Sequence, residues 1–504
     1  MMAKTTVCHD KRIPLYVILI LFFASFVTIS IVSGVSSPIF GPHYCHDASQ
    51  FEIIGKGWAN GLLPYRDLWD SKGPYVFFIN MLAYALGGKT ALWALEIINL
   101  FVTFYFFYKI VALRLSNKAS LFWTSTSILI FGLGTWYAGN TQSEWCLPYL
   151  AVATYCIYAF ALSNDQTFKP LYGYVLGLAI GICIMSRPSN AIYLIFCTFA
   201  VGCYLLSQKQ WKNIGFTLLA GIGGIATPIV PFSIYFWTHG LLSDMWYATL
   251  IYNFRYVASS TSDRSDISLD MLLAAITAFS VLVIGSFVLG YQYLKNKAFR
   301  MLFFIIVPCF AAFLYVFFGT ARYVHYFSIF IPIFFLIWVE LCVYCKEHRS
   351  SVLILGLILL LSISDSLSWL PFCMDPSLTE ISEVTSICDS YFDEIPKEAS
   401  VLTINEPRQN RLYLQYDHLP NNKYFLYQLV VADISPEEKQ KIYADFCSNL
   451  PDYVLYSEWT DYSIGQGVYP VESSLYGEIL SSKYDVVEST TLSTGDDIIL
   501  FRLK

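Results

Sequence analysis

The densest polar chemistry in this 504-residue chain is carried by His43, His46 and Asp47, and then by Tyr65-Arg66-Asp67-Leu68-Trp69-Asp70-Ser71-Lys72-Gly73-Pro74. A charge-rich loop that runs straight into an apolar helix places carboxylates and cations at a water–lipid boundary. A lipid phosphate sits at that depth, and an acceptor hydroxyl or amine reaches it. The bland alternative is a solvated juxtamembrane ion-pair network of Arg66, Asp67, Asp70 and Lys72, the reading favoured for charged loops in general. Glu144, in Thr141-Gln142-Ser143-Glu144, stands at the outer end of an apolar run, where a carboxylate is commonly interfacial. Arg187-Pro188-Ser189-Asn190 and Arg322-Tyr323-Val324-His325-Tyr326 place guanidinium forks suited to phosphate beside belt-forming aromatics. Their bland reading is snorkelling to headgroups. Arg255, within Tyr252-Asn253-Phe254-Arg255-Tyr256, is a weaker candidate. His43, His46 and His325 beside Asp47 lack the tight spacing of a metal site and read as structural histidines; a divalent cation held by acidic residues stays open.

The elements that must hold these residues follow from composition. Apolar residues make up 56% of the chain and charged ones 13%, and the mean hydropathy is +0.53. Soluble domains carry about a quarter charged residues, so the deficit signals a lipid-facing surface. The net charge of −6 argues against a nucleic-acid partner. Spans are expected near 13–35, 90–112, 119–139, 145–162, 170–186, 190–206, 214–237, 269–292, 301–318, 325–345 and 351–371. The first is too long for a cleavable signal core of about 7–15 residues, so it reads as retained.

Basic residues gather in alternate loops: Arg114 and Lys118; Lys169; Lys209 and Lys212; Lys295, Lys297 and Arg300; Lys346 and Arg349. Such loops stay in the cytoplasm, which places 36–88, 140–144, 187–189, 238–268, 319–324 and 372–504 outside. Gly73 to Gly88 is apolar but short for a crossing, and a full span there would invert every later loop. A re-entrant or juxtamembrane helix fits better. Glu96 and Glu340 are the notable intramembrane acids. Glu96 is placed near an outer end and Glu340 near an inner end within reach of water; neither forms the chain of midplane acids of a proton-coupled transporter.

After Pro371 the apolar runs shorten to strand length at Ser400–Ile404, Tyr453–Tyr456, Asp485–Glu488 and Ile498–Phe501, with a helical pattern over Pro436–Leu450. The chain therefore divides into a transmembrane module over 1–371, with its first external loop at 36–88, and a soluble α/β domain over 372–504. That domain binds acceptor or caps the site. Among 13 cysteines, Cys45, Cys373, Cys388 and Cys447 read as external, and one bridge among them is open.

His46-Asp47, Gly57…Gly61-Leu62-Leu63-Pro64-Tyr65-Arg66-Asp67 and Lys72-Gly73-Pro74, ahead of an aromatic apolar helix, resemble the GT-C superfamily of membrane glycosyltransferases. The resemblance is to the branch holding protein O-mannosyltransferases and the aminoarabinose transferase of lipid A, and it covers about residues 10–150. It implies a GT-C bundle of about 11 spans with a re-entrant or juxtamembrane segment and an external α/β domain, in a bacterial inner membrane. It also implies a polyprenyl-phosphate sugar as donor, an acceptor outside the cytoplasm (lipid, glycan or protein), and inversion at the anomeric carbon. Asp47 matches the family's loop-one catalytic aspartate. Lys72 matches the lysine of a Lys-Pro-Pro-like motif on the donor phosphate, with Gly73 in place of the middle proline. Glu144 matches the second acidic position, which would orient Asp47 or the acceptor or help hold a metal. Arg66, Asp70, Arg187, Arg322, Tyr323 and His325 are the further substrate-binding candidates.

Two other readings compete. A lipid-linked-sugar flippase or polysaccharide transporter predicts polar groups through the bundle midplane. An O-antigen ligase or polymerase shares the layout but has no need of Asp47 in a short first loop.

Overall fold

The computed structural model describes residues 13–40, 43–259, 279–319, 324–348, 352–376, 382–404, 410–425, 435–460, 467–468, 470–471 and 474–504. Arg322 and Tyr323 lie outside the described residues, as do the side chains of His46 and His325. The chain forms two compact units. One holds residues 1–41, 93–235 and 264–374; the other holds 42–92, 236–263 and 375–504.

The first unit is a helical bundle. Helices occupy every segment expected to span: Leu15–Val32, Lys89–Ala112, Asn117–Phe131, Gln142–Leu162, Pro170–Ser186, Ile192–Ser207, Trp211–Thr238, Ser280–Lys295, Phe299–Gly319 with a π-turn at Leu302–Ile306, Ile331–Glu347 and Val352–Met374. Among the described residues, seven segments are long and apolar enough to cross a membrane by themselves. The chain is a multi-pass membrane protein. Trp211–Thr238 turns Trp211, Phe216, Leu219, Ile222 and Trp237 outward, as a lipid-facing helix does.

The expected third span is shorter than its apolar run. The helix ends at Phe131, and after Leu133–Trp136 four consecutive residues take positive φ: Tyr137 at 61°, Ala138 at 62°, Gly139 at 96° and Asn140 at 50°. Such values cost a non-glycine residue roughly 1 kcal/mol or more. The run is sustained by buried bonds, Val35 N donating to Ala138 O at 3.2 Å and Trp145 Nε1 to Asn140 Oδ1 at 3.0 Å. Glycine is required at 139, because a Cβ there would fall 1.9 Å from Ser33 Oγ.

Glu340 is also corrected. It does not reach water; it is buried and ion-paired with Arg114 at 3.2 Å, and it accepts from Tyr293 Oη at 2.6 Å and from Tyr158 Oη. Arg114 folds back onto the bundle interior instead of remaining a free loop cation.

The second unit joins the first loop, the 236–263 segment and the C-terminal residues. Its helices His46–Ala59 and Pro74–Leu86 pack directly on each other: a Cβ on Gly55 would lie 2.4 Å from Asn80 Cβ. Pro74–Leu86 has 13 residues, about 20 Å of helix, too short to cross alone. The C-terminal part forms a four-stranded sheet from β1 (Val401–Ile404), β2 (Tyr453–Ser457), β5 (Tyr484–Thr491) and β6 (Asp497–Leu503), ordered β1-β2-β6-β5. β1 runs parallel to β2, and the other pairs are antiparallel. β3 (Trp459–Thr460) and β4 (Gly467–Val468) form a separate ribbon. The four strands and the helix Pro436–Ser448 fall where the short apolar runs and the helical pattern expect them. All the described cysteines are free thiols, Cys45, Cys373, Cys388 and Cys447 included.

Candidate functional site

Asp47 is the second residue of the helix His46–Ala59, and its side chain is half-buried in the first turn, where a carboxylate faces the positive end of the helix dipole. The segment leading into it is tethered. Lys89 Nζ donates to His43 O at 2.8 Å and lies 4.0 Å over the Tyr44 ring, while His43 Nδ1 is 3.1 Å from Asp375 Oδ1. Beneath them Glu52, wholly buried, sits 3.7 Å from Lys89 Nζ and accepts from Tyr84 Oη at 2.9 Å. Burial pushes the Glu52 carboxyl up, against the downward pull of Lys89 and Tyr84.

Lys72 lies just ahead of Pro74, the first residue of the second helix. Gly73 has φ −72° and ψ 161°. A proline adopts that geometry too, so Lys-Gly-Pro makes the turn that Lys-Pro-Pro would. The loop is clamped from several sides. Tyr65, buried and at φ 70°, donates from Oη to Lys72 O at 2.8 Å; Asn253 Nδ2 donates to Ser71 O at 2.7 Å; Trp69 N donates to Lys423 O at 3.0 Å. The Trp69 ring stands edge-on to Tyr252, with centroids 4.8 Å apart, and 5.6 Å from Tyr424. Lys72 Nζ is 3.6 Å from Asp70 Oδ1 and 3.2 Å from Ser71 Oγ. Asp70 is buried, and its Oδ2 has no hydrogen-bond partner among the described residues.

Arg66 behaves otherwise. It forms an exposed two-pronged pair with its neighbour Asp67, at 2.9 and 2.8 Å, and that pairing holds the Asp67 carboxyl below its usual range. Arg255 is likewise exposed, 3.2 Å from Tyr247 Oη and 3.8 Å from Glu437.

In the helical bundle, Glu144 completes a capping box. Thr141 Oγ1 accepts from Glu144 N at 3.1 Å, and Thr141 N donates to Glu144 Oε2 at 3.4 Å. The Thr-x-x-Glu string carries that signal at the sequence level, so one carboxylate oxygen is accounted for by helix capping. The buried carboxyl also faces Glu96, which accepts from Asn140 N at 2.7 Å, from Ser33 Oγ at 2.9 Å and from Ser36 Oγ. Two acids thus meet at the left-handed run.

Arg187 does not snorkel. It is buried, its guanidinium lies 3.7 Å over the Tyr326 ring, and its Nε donates to Asn190 Oδ1 at 3.1 Å. The structure therefore brings Asp70 to Lys72, Glu96 to Glu144, and Arg187 to Asn190 and Tyr326. Among the described residues, no three His, Cys, Asp or Glu side chains cluster closely enough to hold a metal ion. The sequence reading missed Tyr65, Asn253 and the Lys423 carbonyl as supports of Lys72; the positive φ of Tyr65 and the π-turn before Asn253 leave no local pattern.

The fold is of the GT-C type. It is similar to ArnT from Cupriavidus metallidurans bound to undecaprenyl phosphate, at a TM-score of 0.57 and 12% identity, over 96% of this chain and 97% of that one. The Archaeoglobus fulgidus oligosaccharyltransferase in complex with Zn and sulfate also aligns, at a TM-score of 0.49 and 13% identity, over 88% of this chain and 68% of that one. The chain belongs to the family of the putative competence-induced protein Ccs4 N-terminal domain, whose model matches residues 7–352. No curated protein sequence matches it.

Proposed function

We propose that this protein is an inverting glycosyltransferase that moves a sugar from a polyprenyl-phosphate donor to an acceptor on the non-cytoplasmic side of the bacterial inner membrane. The observation that carries the reading is the clamped Lys72. A lysine whose two flanking carbonyls are each fixed by a hydrogen bond, at the start of an apolar helix, is a preorganised counter-charge for a membrane-bound phosphate. The same compact unit carries Asp47 in the first turn of a helix.

In the proposed reaction the acceptor oxygen or nitrogen attacks the anomeric carbon as the bond from that carbon to the phosphate oxygen breaks. The bonding pair leaves with the polyprenyl phosphate, whose charge Lys72 neutralises, and the acceptor's proton passes to Asp47. One base and one stabilised leaving group suffice for inversion; a retaining route would need a nucleophilic carboxylate. Glu144, held by its capping box against Glu96, orients the acceptor. Asp70 sets the direction of Lys72. Arg187, together with Arg322, Tyr323 and His325, is assigned to the donor side, and Arg66 remains a peripheral candidate at the loop surface.

The test is sugar transfer in proteoliposomes from a panel of polyprenyl-phosphate sugars. Asp47→Asn should lower turnover by roughly 100-fold or more, the size of a lost general base. Lys72→Ala should lower it comparably while the protein stays folded. Full activity in folded Asp47→Asn would remove the base assignment.

A further inference from the structure

The segment Leu242–Ser259 is helical, but its middle, Tyr247–Ile251, is a π-turn: Tyr252 N donates to Tyr247 O, five residues back. A π-turn inserts one residue into the helical ladder, leaves carbonyls short of their regular donors, and often marks a functional site. Here the Asn253 side chain answers that shortage. Its Nδ2 lies 2.9 Å from Ala248 O, 3.1 Å from Thr249 O and 2.7 Å from Ser71 O. All three neighbours are acceptors, so the amide nitrogen, with its two hydrogens, must be the atom that faces them. One side chain thus joins the irregular helix to the loop that carries Lys72.

We infer that Asn253 is a positioning residue for Lys72, acting through the Ser71 carbonyl on the presentation of the lysine to a lipid phosphate. Two carbonyls flank the Lys72 Cα. Asn253 holds the one before it and Tyr65 Oη the one after it. With both peptide planes fixed, the ammonium position is set by the side chain alone, and Asp70 with Ser71 Oγ limits that. Trp69 closes the same loop against Tyr252, the neighbour of Asn253, and against Lys423 O and Tyr424. The π-turn supplies the twist: a regular helix would turn residue 253 by about 100° relative to the observed register, away from Ser71. This rests on the assignment of Lys72 to a donor phosphate, and it adds a residue remote in sequence on which that assignment depends.

The experiment measures binding of undecaprenyl phosphate to the full-length protein in nanodiscs, with undecaprenol as the phosphate-free control. The variants are Asn253→Asp, Asn253→Ala, Lys72→Ala and the two double variants. Asn253→Asp is isosteric and changes one donor group into an acceptor facing three carbonyls; Asn253→Ala deletes the contacts. Either should weaken undecaprenyl phosphate binding roughly tenfold, the scale of one polar interaction, and leave undecaprenol binding unchanged. In the Lys72→Ala background the Asn253 substitutions should have no further effect on the phosphate lipid, because coupled residues are not additive.

An Asn253 effect of equal size with and without Lys72, or on undecaprenol as well, would make Asn253 a general support of the fold and overturn the inference. So would unchanged binding in both Asn253 variants beside a weakened Lys72→Ala. If Lys72→Ala itself binds the phosphate lipid like wild type, the Lys72 assignment fails first and the inference falls with it. A thermal melt of each variant identifies any that is unfolded, and the other of the Asn253 pair then decides.

Discussion

Glu52 is wholly buried, and its nearest cation, Lys89, is still partly exposed at 3.7 Å. Burial lifts its carboxyl above the ordinary range, so above pH 4.5, the unfolded reference, the native state holds a proton that the unfolded chain releases. Stability therefore falls as pH rises through that window and stays reduced beyond it. Lys89 limits the loss by stabilising the charged form. Lys89→Met should cost about 3 kcal/mol at pH 8, the scale of a buried charge left without its partner, and much less at pH 5. The double variant with Glu52→Gln should recover most of it. Melting in detergent at the two pH values checks this, and equal losses at both would refute the charge argument. At this scale the loop string around Asp47 and Lys72 and the Thr-x-x-Glu string of Glu144 were legible as local patterns, while the functions assigned to those residues belong to the proposal. Asn253 and Tyr65 were not legible, because their roles exist only through partners distant in sequence or a backbone that leaves the regular ladder.

Elements were legible where hydrophobicity runs unbroken, and less so where backbone geometry intervenes. The apolar run over 119–139 reads as one span, yet Gly132 and the left-handed residues 137–140 end the helix early and turn the chain toward Glu144. Helix pairing was not read from the sequence at all. Gly173, Gly177 and Gly181 recur every fourth residue and form one ridge of the helix Pro170–Ser186. A Cβ on Gly177 would lie 2.0 Å from Gly221 O, and one on Gly224 would lie 2.1 Å from Tyr174 O, so Pro170–Ser186 and Trp211–Thr238 approach backbone to backbone. In lipid, where no hydrophobic force separates one apolar surface from another, such close packing is what joins helices. Gly177→Ala should therefore lower stability by about 1–3 kcal/mol, the cost of overpacking. Gly223→Ala is the control: nothing lies within 4 Å of its added Cβ, and it should be neutral or stabilising by up to about 1 kcal/mol. Equal melting shifts in the two variants would mean that the ridge is not the contact that matters.

For the whole molecule, hydropathy separates membrane helices from the α/β tail, but it is silent on which segments fold as one unit. The first loop, the 236–263 segment and the C-terminal residues cohere through contacts such as Lys56 Nζ to Asp417 Oδ1 at 2.6 Å and Tyr247 Oη to Glu438 Oε1 at 2.5 Å, between residues far apart in the chain. Alternating loop charge leads to the expectation that all three segments share one side of the membrane, and segments that fold as one compact unit are compatible with that expectation. The side itself can be tested with a residue the protein already has. Among the described cysteines, Cys447 is the exposed one outside the helical bundle, on the helix Pro436–Ser448, whereas Cys45, Cys373 and Cys388 are buried. An impermeant maleimide added to intact cells should label wild type and fail on Cys447→Ser. Labelling that appears only after lysis would place the tail in the cytoplasm. Because Lys72 and Asp47 belong to the same unit, that result would also carry the proposed phosphate site to the cytoplasmic face, where Arg114, Lys118 and the other basic loops could no longer be the cytoplasmic ones.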